Sequence, residues 1–168
     1  AQKAVDYYNG LPAELLTPRT QAYRAMALMR LASAAYARDD LDTAVKSIDD
    51  ARATFERLRA AGDESESVTL GLALALFTPN ASWGPGGAPG SKPGDLQQAA
   101  DLLRRFALSA EGSRQSKVIY ADILNYRSHE LGKEDAVTAC EEARQVLSGV
   151  GALDLTDLTA ASVYADTA

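Results

Sequence analysis

Few residues in this 168-residue chain have the type and spacing that chemistry needs. His129 is the only histidine and is followed by Glu130, a pairing found on metalloprotease helices. A zinc site of that kind also needs a second histidine one helical turn on, and none follows. Asp39, Asp40 and Asp42 gather the carboxylates that calcium takes, but without the glycine and the distal glutamate that a calcium loop requires. They are better used as caps for a helix beginning at Leu41, whose first N–H groups lack intrahelical partners. From Gly86 to Lys92 the order Gly-Gly-Ala-Pro-Gly-Ser-Lys has the composition of a phosphate loop, but its Gly-Lys-Ser/Thr order is broken and no strand precedes it. Asn80-Ala81-Ser82 is formally a glycosylation sequon, which matters only in a secreted protein. Cys140 falls on the packed side of an expected helix with no general base near it in sequence, so it reads as a small core hydrophobe. Any two of the 23 acidic residues could be paired on paper as acid and base, which is why no such pair is singled out. The expectation is a protein without catalytic residues, metal or cofactor, and not an enzyme.

Composition indicates what positions the remaining residues. Alanine (32) and leucine (21) together approach a third of the chain, aromatics are 7%, and no long stretch alternates apolar with polar. That is an all-α composition. The net charge of −6 has the wrong sign for gripping phosphate backbones or anionic lipid, so neither nucleic acid nor membrane is expected as a partner. No apolar run approaches the roughly 18 residues of a membrane helix. A single cysteine cannot form an internal disulfide, and residues 1–9 lack the apolar core of a signal peptide; a cytoplasmic location is expected.

Helix punctuation begins at Thr17-Pro18, a capping residue followed by proline where its missing N–H costs nothing. Tyr23, Ala27, Leu28, Leu31, Ala32, Ala35 and Tyr36 then form one broad apolar stripe, closed by Asp39-Asp40. A second helix is expected from Leu41 to about Ala61, with Ala44, Val45, Ile48, Ala51, Phe55 and Leu58 inward and Gly62 as its stop. Ser65 to Phe77 reads as a short, unusually apolar helix. The stretch from Thr78 to Gly94, with four prolines and five glycines, reads as a loop that adds no helix. Further helices are expected over Asp95–Ala110, Ser113–Glu130 and Lys133–Leu147, the last with Ala136, Val137, Cys140, Ala143 and Leu147 inward.

The second helix of each pair repeats one spacing: Ala44, Ile48, Ala51; Ala99, Leu103, Phe106; Ala136, Cys140, Ala143. A polar turn precedes each, and the preceding helices offer Leu31-Ala32 and Leu70-Gly71. Residues 25–147 thereby resemble the tetratricopeptide repeat, in which Leu-Gly on helix A lets two helices approach and small residues on helix B let the next repeat stack. Ala44 to Ala99 spans 55 residues and Ala99 to Ala136 spans 37, against a family repeat of about 34. Reading the Pro/Gly stretch as a 16-residue insertion between the helices of repeat two brings the first interval to 39. The resemblance implies an α-solenoid of antiparallel helix pairs in a right-handed superhelix. It would form one domain over 1–168: a remnant at 1–16, repeats at 17–62, 63–110 with the insertion at 78–94, and 113–149, and the start of a further repeat at 154–168. It implies a fragment of a longer array, with Thr156 capping a last helix through Leu158, Ala161 and Tyr164.

The resemblance further implies a concave groove lined by helix A residues: Met26, Met29, Ser33 and Tyr36 in repeat one, Val68 and Leu72 in repeat two, Asn125 in repeat three. Met and Tyr suit a binding groove, although the same residues could equally pack on a neighbouring repeat. The lysine and asparagine with which chaperone-binding members clamp a peptide carboxylate are replaced by Met29, Ser33 and Thr69. Trp83 is the expected anchor of its loop, either pinning it or meeting a partner. The function implied is a non-enzymatic scaffold that binds a protein or peptide, with basic or neutral partners favoured by the net charge. The alternative is a regulatory or structural arm of a bacterial multidomain signalling protein, a kinase or nucleotide-switch ATPase.

Overall fold

The structure, a computed structural model, describes residues 1–83 and 89–150, with residues 82 and 83 described in their backbone alone. All regular elements are helical, and no strand occurs among the described residues. The expected last helix from Thr156 lies outside them, as does the Trp83 side chain. The chain divides into two compact units, Ala1–Lys92 and Pro93–Ala168. The first holds α1 (Gln2–Asn9), a 3-10 turn (Ala13–Leu15), α2 (Pro18–Tyr36), α3 (Leu41–Ala60) and α4 (Glu66–Trp83). The second holds α5 (Asp95–Ala107), α6 (Arg114–Ser128) and α7 (Lys133–Ser148).

The helices of the first unit start and stop where their side chains satisfy the backbone. Thr17 Oγ1 accepts the Thr20 N–H at 3.3 Å, with Pro18 next to it in the first turn. Asp40 Oδ1 accepts the Thr43 N–H at 3.2 Å, so of the three clustered acids this one caps α3. Asp39 adopts φ 57°, the left-handed position usually given to glycine, while the Asp40 N–H returns to the Ala35 carbonyl at 3.0 Å. The same 6→1 closure ends α3, where Gly62 at φ 92° lets the Asp63 N–H reach the Leu58 carbonyl at 3.1 Å.

α2 packs on α1, α3 and α4, and α3 also packs on α4. Ala25, Ala32 and Ala35 of α2 and Ala44 and Ala51 of α3 are all fully buried, and their small side chains permit close helix approach. Phe55 of α3, fully buried, lies against Gly71 of α4 so closely that a Cβ at that position would overlap its ring. This is the physical reason for glycine in the middle of a helix that would otherwise favour alanine.

One expectation is corrected at Thr78. α4 does not stop at Phe77 but runs through Pro79 to Trp83, so residues 78–83 are helix rather than loop. Pro79 is fully buried, and its neighbours hold the preceding turn with their side chains: Thr78 Oγ1 donates to the Leu74 carbonyl at 2.8 Å and Asn80 Nδ2 to that of Leu76 at 3.1 Å. Burial of the apolar run from Leu70 outweighs an interior proline that costs a helix about 3 kcal/mol. Asn80 is itself buried and bonded, so the sequon is closed in this structure.

In the second unit α6 packs on both α5 and α7. Ser113 caps α6 by accepting the Ser116 N–H at 3.1 Å. The expected inward face of α7 is shifted: Ala139, Ala143, Val146 and Leu147 are buried, Ala136 and Cys140 are half-buried, and Val137 is 51% exposed. On α5, Ala107 takes the buried place expected for the half-buried Phe106. One carboxylate joins all three helices. Tyr120 of α6, itself buried, donates its hydroxyl to Glu142 Oε1 of α7 at 2.8 Å, and Arg104 of α5 stands 3.6 Å from the same oxygen. Burial raises the Tyr120 phenol well above its ordinary 10.0, with the Glu142 hydrogen bond and charge adding to the effect.

Candidate functional site

The residues marked for a groove concentrate on α2, and the helical phase separates them. Met29, 5% exposed, and Tyr36, 6% exposed, share the buried side with Leu28 and Ala32. Met26 is half-buried and Ser33 exposed. Val68 and Leu72 are buried because α4 packs on both α2 and α3, and Asn125 is buried on α6 between its two neighbours. As accessible groove residues, then, Met29, Tyr36, Val68, Leu72 and Asn125 are corrected: their apolar character or their place in the bundle serves the core.

The accessible row on α2 is Arg19, Tyr23, Met26, Arg30 and Ser33, at alternating spacings of four and three that keep one helical face. Tyr23, expected inward, is 46% exposed. Ala1, Ala4 and Tyr8 from the α1 side and Tyr23, Met26, Ala27 and Arg30 from α2 line a recess of about 380 Å³. Tyr7 and Tyr8 stand edge to face, 5.3 Å between centroids. The short α1 is held beside α2 by its buried Val5 and by Arg24 Nε, which donates to Asn9 Oδ1 at 2.7 Å.

Electrostatically α2 is the reverse of the whole chain. It carries Arg19, Arg24 and Arg30 and no acidic residue, in a protein of net charge −6. Arg19 stacks on the Tyr23 ring at 5.5 Å and donates from Nε to its hydroxyl at 3.0 Å. Arg30 is exposed and makes no ion pair or side-chain hydrogen bond among the described residues. Tyr23 and Arg30 are the exposed members of this face that the residue pattern alone did not single out. The signal available was this charge segregation together with the four-three spacing.

Among the described residues two further depressions, both larger, are partly taken up by the chain's own groups. One, about 440 Å³, lies where Arg24 and Arg57 meet Tyr8, Asn9, Leu16, Gln21 and Thr54, and there Arg57 is engaged with Gln21 Oε1 at 3.4 Å. The other runs along α3 from Leu41 to Asp50 and ends on Pro89. There the Tyr36 hydroxyl donates to the Pro89 carbonyl at 2.9 Å and Gly90 sits against Val45, so the chain covers that end itself. Burial raises the Tyr36 phenol, and the Asp49 charge raises it further.

Nothing in the α1–α2 recess pairs an acid with a base or a nucleophile, and among the described residues no three metal-ligating side chains converge. No described helix is long and apolar enough to cross a membrane. What the recess can do chemically is bury an apolar side chain and hold charge beside it. Comparison with known proteins finds no matching family model, no matching curated protein and no matching solved structure.

Proposed function

We propose that this chain is a non-enzymatic protein-binding module of tetratricopeptide-like helix pairs, stacked as a solenoid, and that it receives a peptide segment of its partner in the α1–α2 recess. The observation that carries this is the row of exposed Arg19, Tyr23 and Arg30 with half-buried Met26 among them, beside Tyr8. Tyrosine, methionine and arginine are the side chains enriched at protein interfaces, and tyrosine and arginine dominate binding energy where they occur. Lysine and glutamate, which face solvent at low cost, are absent from this row. The repeat part of the reading is supported by the short-turn helix pairs α2–α3 and α6–α7 and by the Gly71–Phe55 approach.

The test is selection of peptides from a random displayed library on the purified chain, repeated on Met26→Glu. Met26 is half-buried at the recess, so the charge changes the surface without entering the core. Selected peptides should lose about 1–3 kcal/mol of binding on Met26→Glu at unchanged helicity. Peptides that bind both proteins alike would remove the recess from the function.

A further inference from the structure

We propose that the α1–α2 recess is built for an acidic segment: an extended peptide with two carboxylates about five residues apart flanking one aliphatic or aromatic side chain. This rests on the binding reading above and names its partner's chemistry. Arg19 and Arg30 are eleven residues apart on α2, which at 1.5 Å per residue separates them by about 16 Å. An extended chain rises about 3.3 Å per residue, so five residues cover that span. Between the arginines lie Tyr23 and Met26, with Tyr8 across the recess, and these offer the apolar seat for the central side chain.

The charge argument is local and opposes the net charge. With −6 overall, an acidic segment is repelled by most of this surface. The acid-free row of α2 is where it is attracted, which fixes where and in what register it docks. Both end groups are suited to carboxylates. Arg19 is stacked and held through Nε, which leaves its terminal nitrogens to form a forked pair, and Arg30 has no competing acid. No carboxylate lines the recess. A phosphate polymer or an anionic membrane would meet the same arginines, but it would also bring a large area of negative charge against the acidic remainder and leave the tyrosine–methionine seat unfilled.

The experiment uses the whole chain and three fluorescein-labelled peptide pools, random except for glutamate, glutamine or lysine fixed at two positions five residues apart, read by anisotropy. The glutamate pool should bind at least tenfold tighter than the glutamine pool and weaken as salt rises. Arg30→Glu should weaken the glutamate pool about tenfold and move the preference toward the lysine pool, and Arg30→Gln should fall between. Because Arg30 is exposed, both variants should keep wild-type helicity. If the three pools bind wild type equally and all are lost on Met26→Glu, the acidic assignment is overturned while the binding module stands. If no pool responds to Met26→Glu, both readings fall. Competition of the glutamate pool by phosphatidylserine vesicles or a poly-uridine strand, stronger than by unlabelled glutamate peptide, would also overturn the proposal.

Discussion

Replacing Gly71 by alanine tests how the helices of the first unit are fitted together. On an isolated helix the change is favourable by about 0.5–1 kcal/mol, because alanine loses less backbone freedom than glycine. In this protein the new Cβ would fall on three carbons of the Phe55 ring. That ring is fully buried and cannot swing into solvent, so α3 and α4 must move apart or the ring must leave its rotamer. Overpacking of this kind costs roughly 1–3 kcal/mol, which set against the propensity gain leaves a net loss of up to about 2.5 kcal/mol. Thermal and urea unfolding followed by circular dichroism should show it, at about 2–4 °C per kcal/mol for a chain of this size. Phe55→Leu in the same chain should relieve the clash, so that the two substitutions together cost less than their sum by about 1 kcal/mol. An alanine at 71 that raises the midpoint would refute the reasoning, since it would mean that nothing occupies the space.

Three further outcomes follow from single observations. Thr69 Oγ1 is buried and has no hydrogen-bond partner among the described residues, so Thr69→Val, which keeps the shape and deletes the orphan hydroxyl, should stabilise by about 1 kcal/mol in urea titration. A loss instead would mean that the hydroxyl is bonded. Asp39 holds a left-handed φ that glycine adopts freely, and Asp39→Gly should gain roughly 0.5–1 kcal/mol; an unchanged unfolding midpoint would argue against that turn. Tyr36 and Tyr120 are both raised in the folded state, so their contribution is complete below the ordinary value of 10.0 and is lost as pH climbs above it. Stability should fall above that pH, by up to about 1.4 kcal/mol per unit through Tyr120 and more weakly through Tyr36, and Tyr120→Phe should flatten the slope; an identical alkaline profile in the variant would contradict the buried Glu142 bond.

Much of the fold was legible because local chemistry and tertiary need agree at the helix ends. Thr17-Pro18, Asp40 and Gly62 each act where their side chain or backbone freedom predicts. Ala44, Ile48 and Ala51 are buried as their spacing implies, and so is Ala143. Pro79 was misjudged because propensity treats a proline alone, while here the buried apolar run and two side-chain bonds to the preceding turn carry the helix past it. On α2 the apolar stripe is so broad that hydrophobicity cannot fix its phase: Met26 and Met29 look equivalent in sequence, yet the first flanks a recess and the second is core. Charge resolves what hydrophobicity does not, since Arg19, Arg24 and Arg30 mark the sides of α2 that avoid the core. The face of α7 slipped for a related reason: alanines at 136, 139 and 143 supply two possible stripes, and packing on α6 selects the one through Ala139 and Val146.

The central claim is that the exposed face of α2 beside α1 is where a partner binds. Its most direct test is amide chemical-shift mapping of the isotope-labelled chain, titrated with the tightest peptide from the displayed library. Shifts confined to Ala4, Tyr8, Tyr23, Met26, Ala27 and Arg30, and abolished in Met26→Glu, are the result predicted. Shifts centred instead on the Leu41–Asp50 side of α3 or on the exposed Val137 face of α7, with the α2 row unmoved, would contradict it.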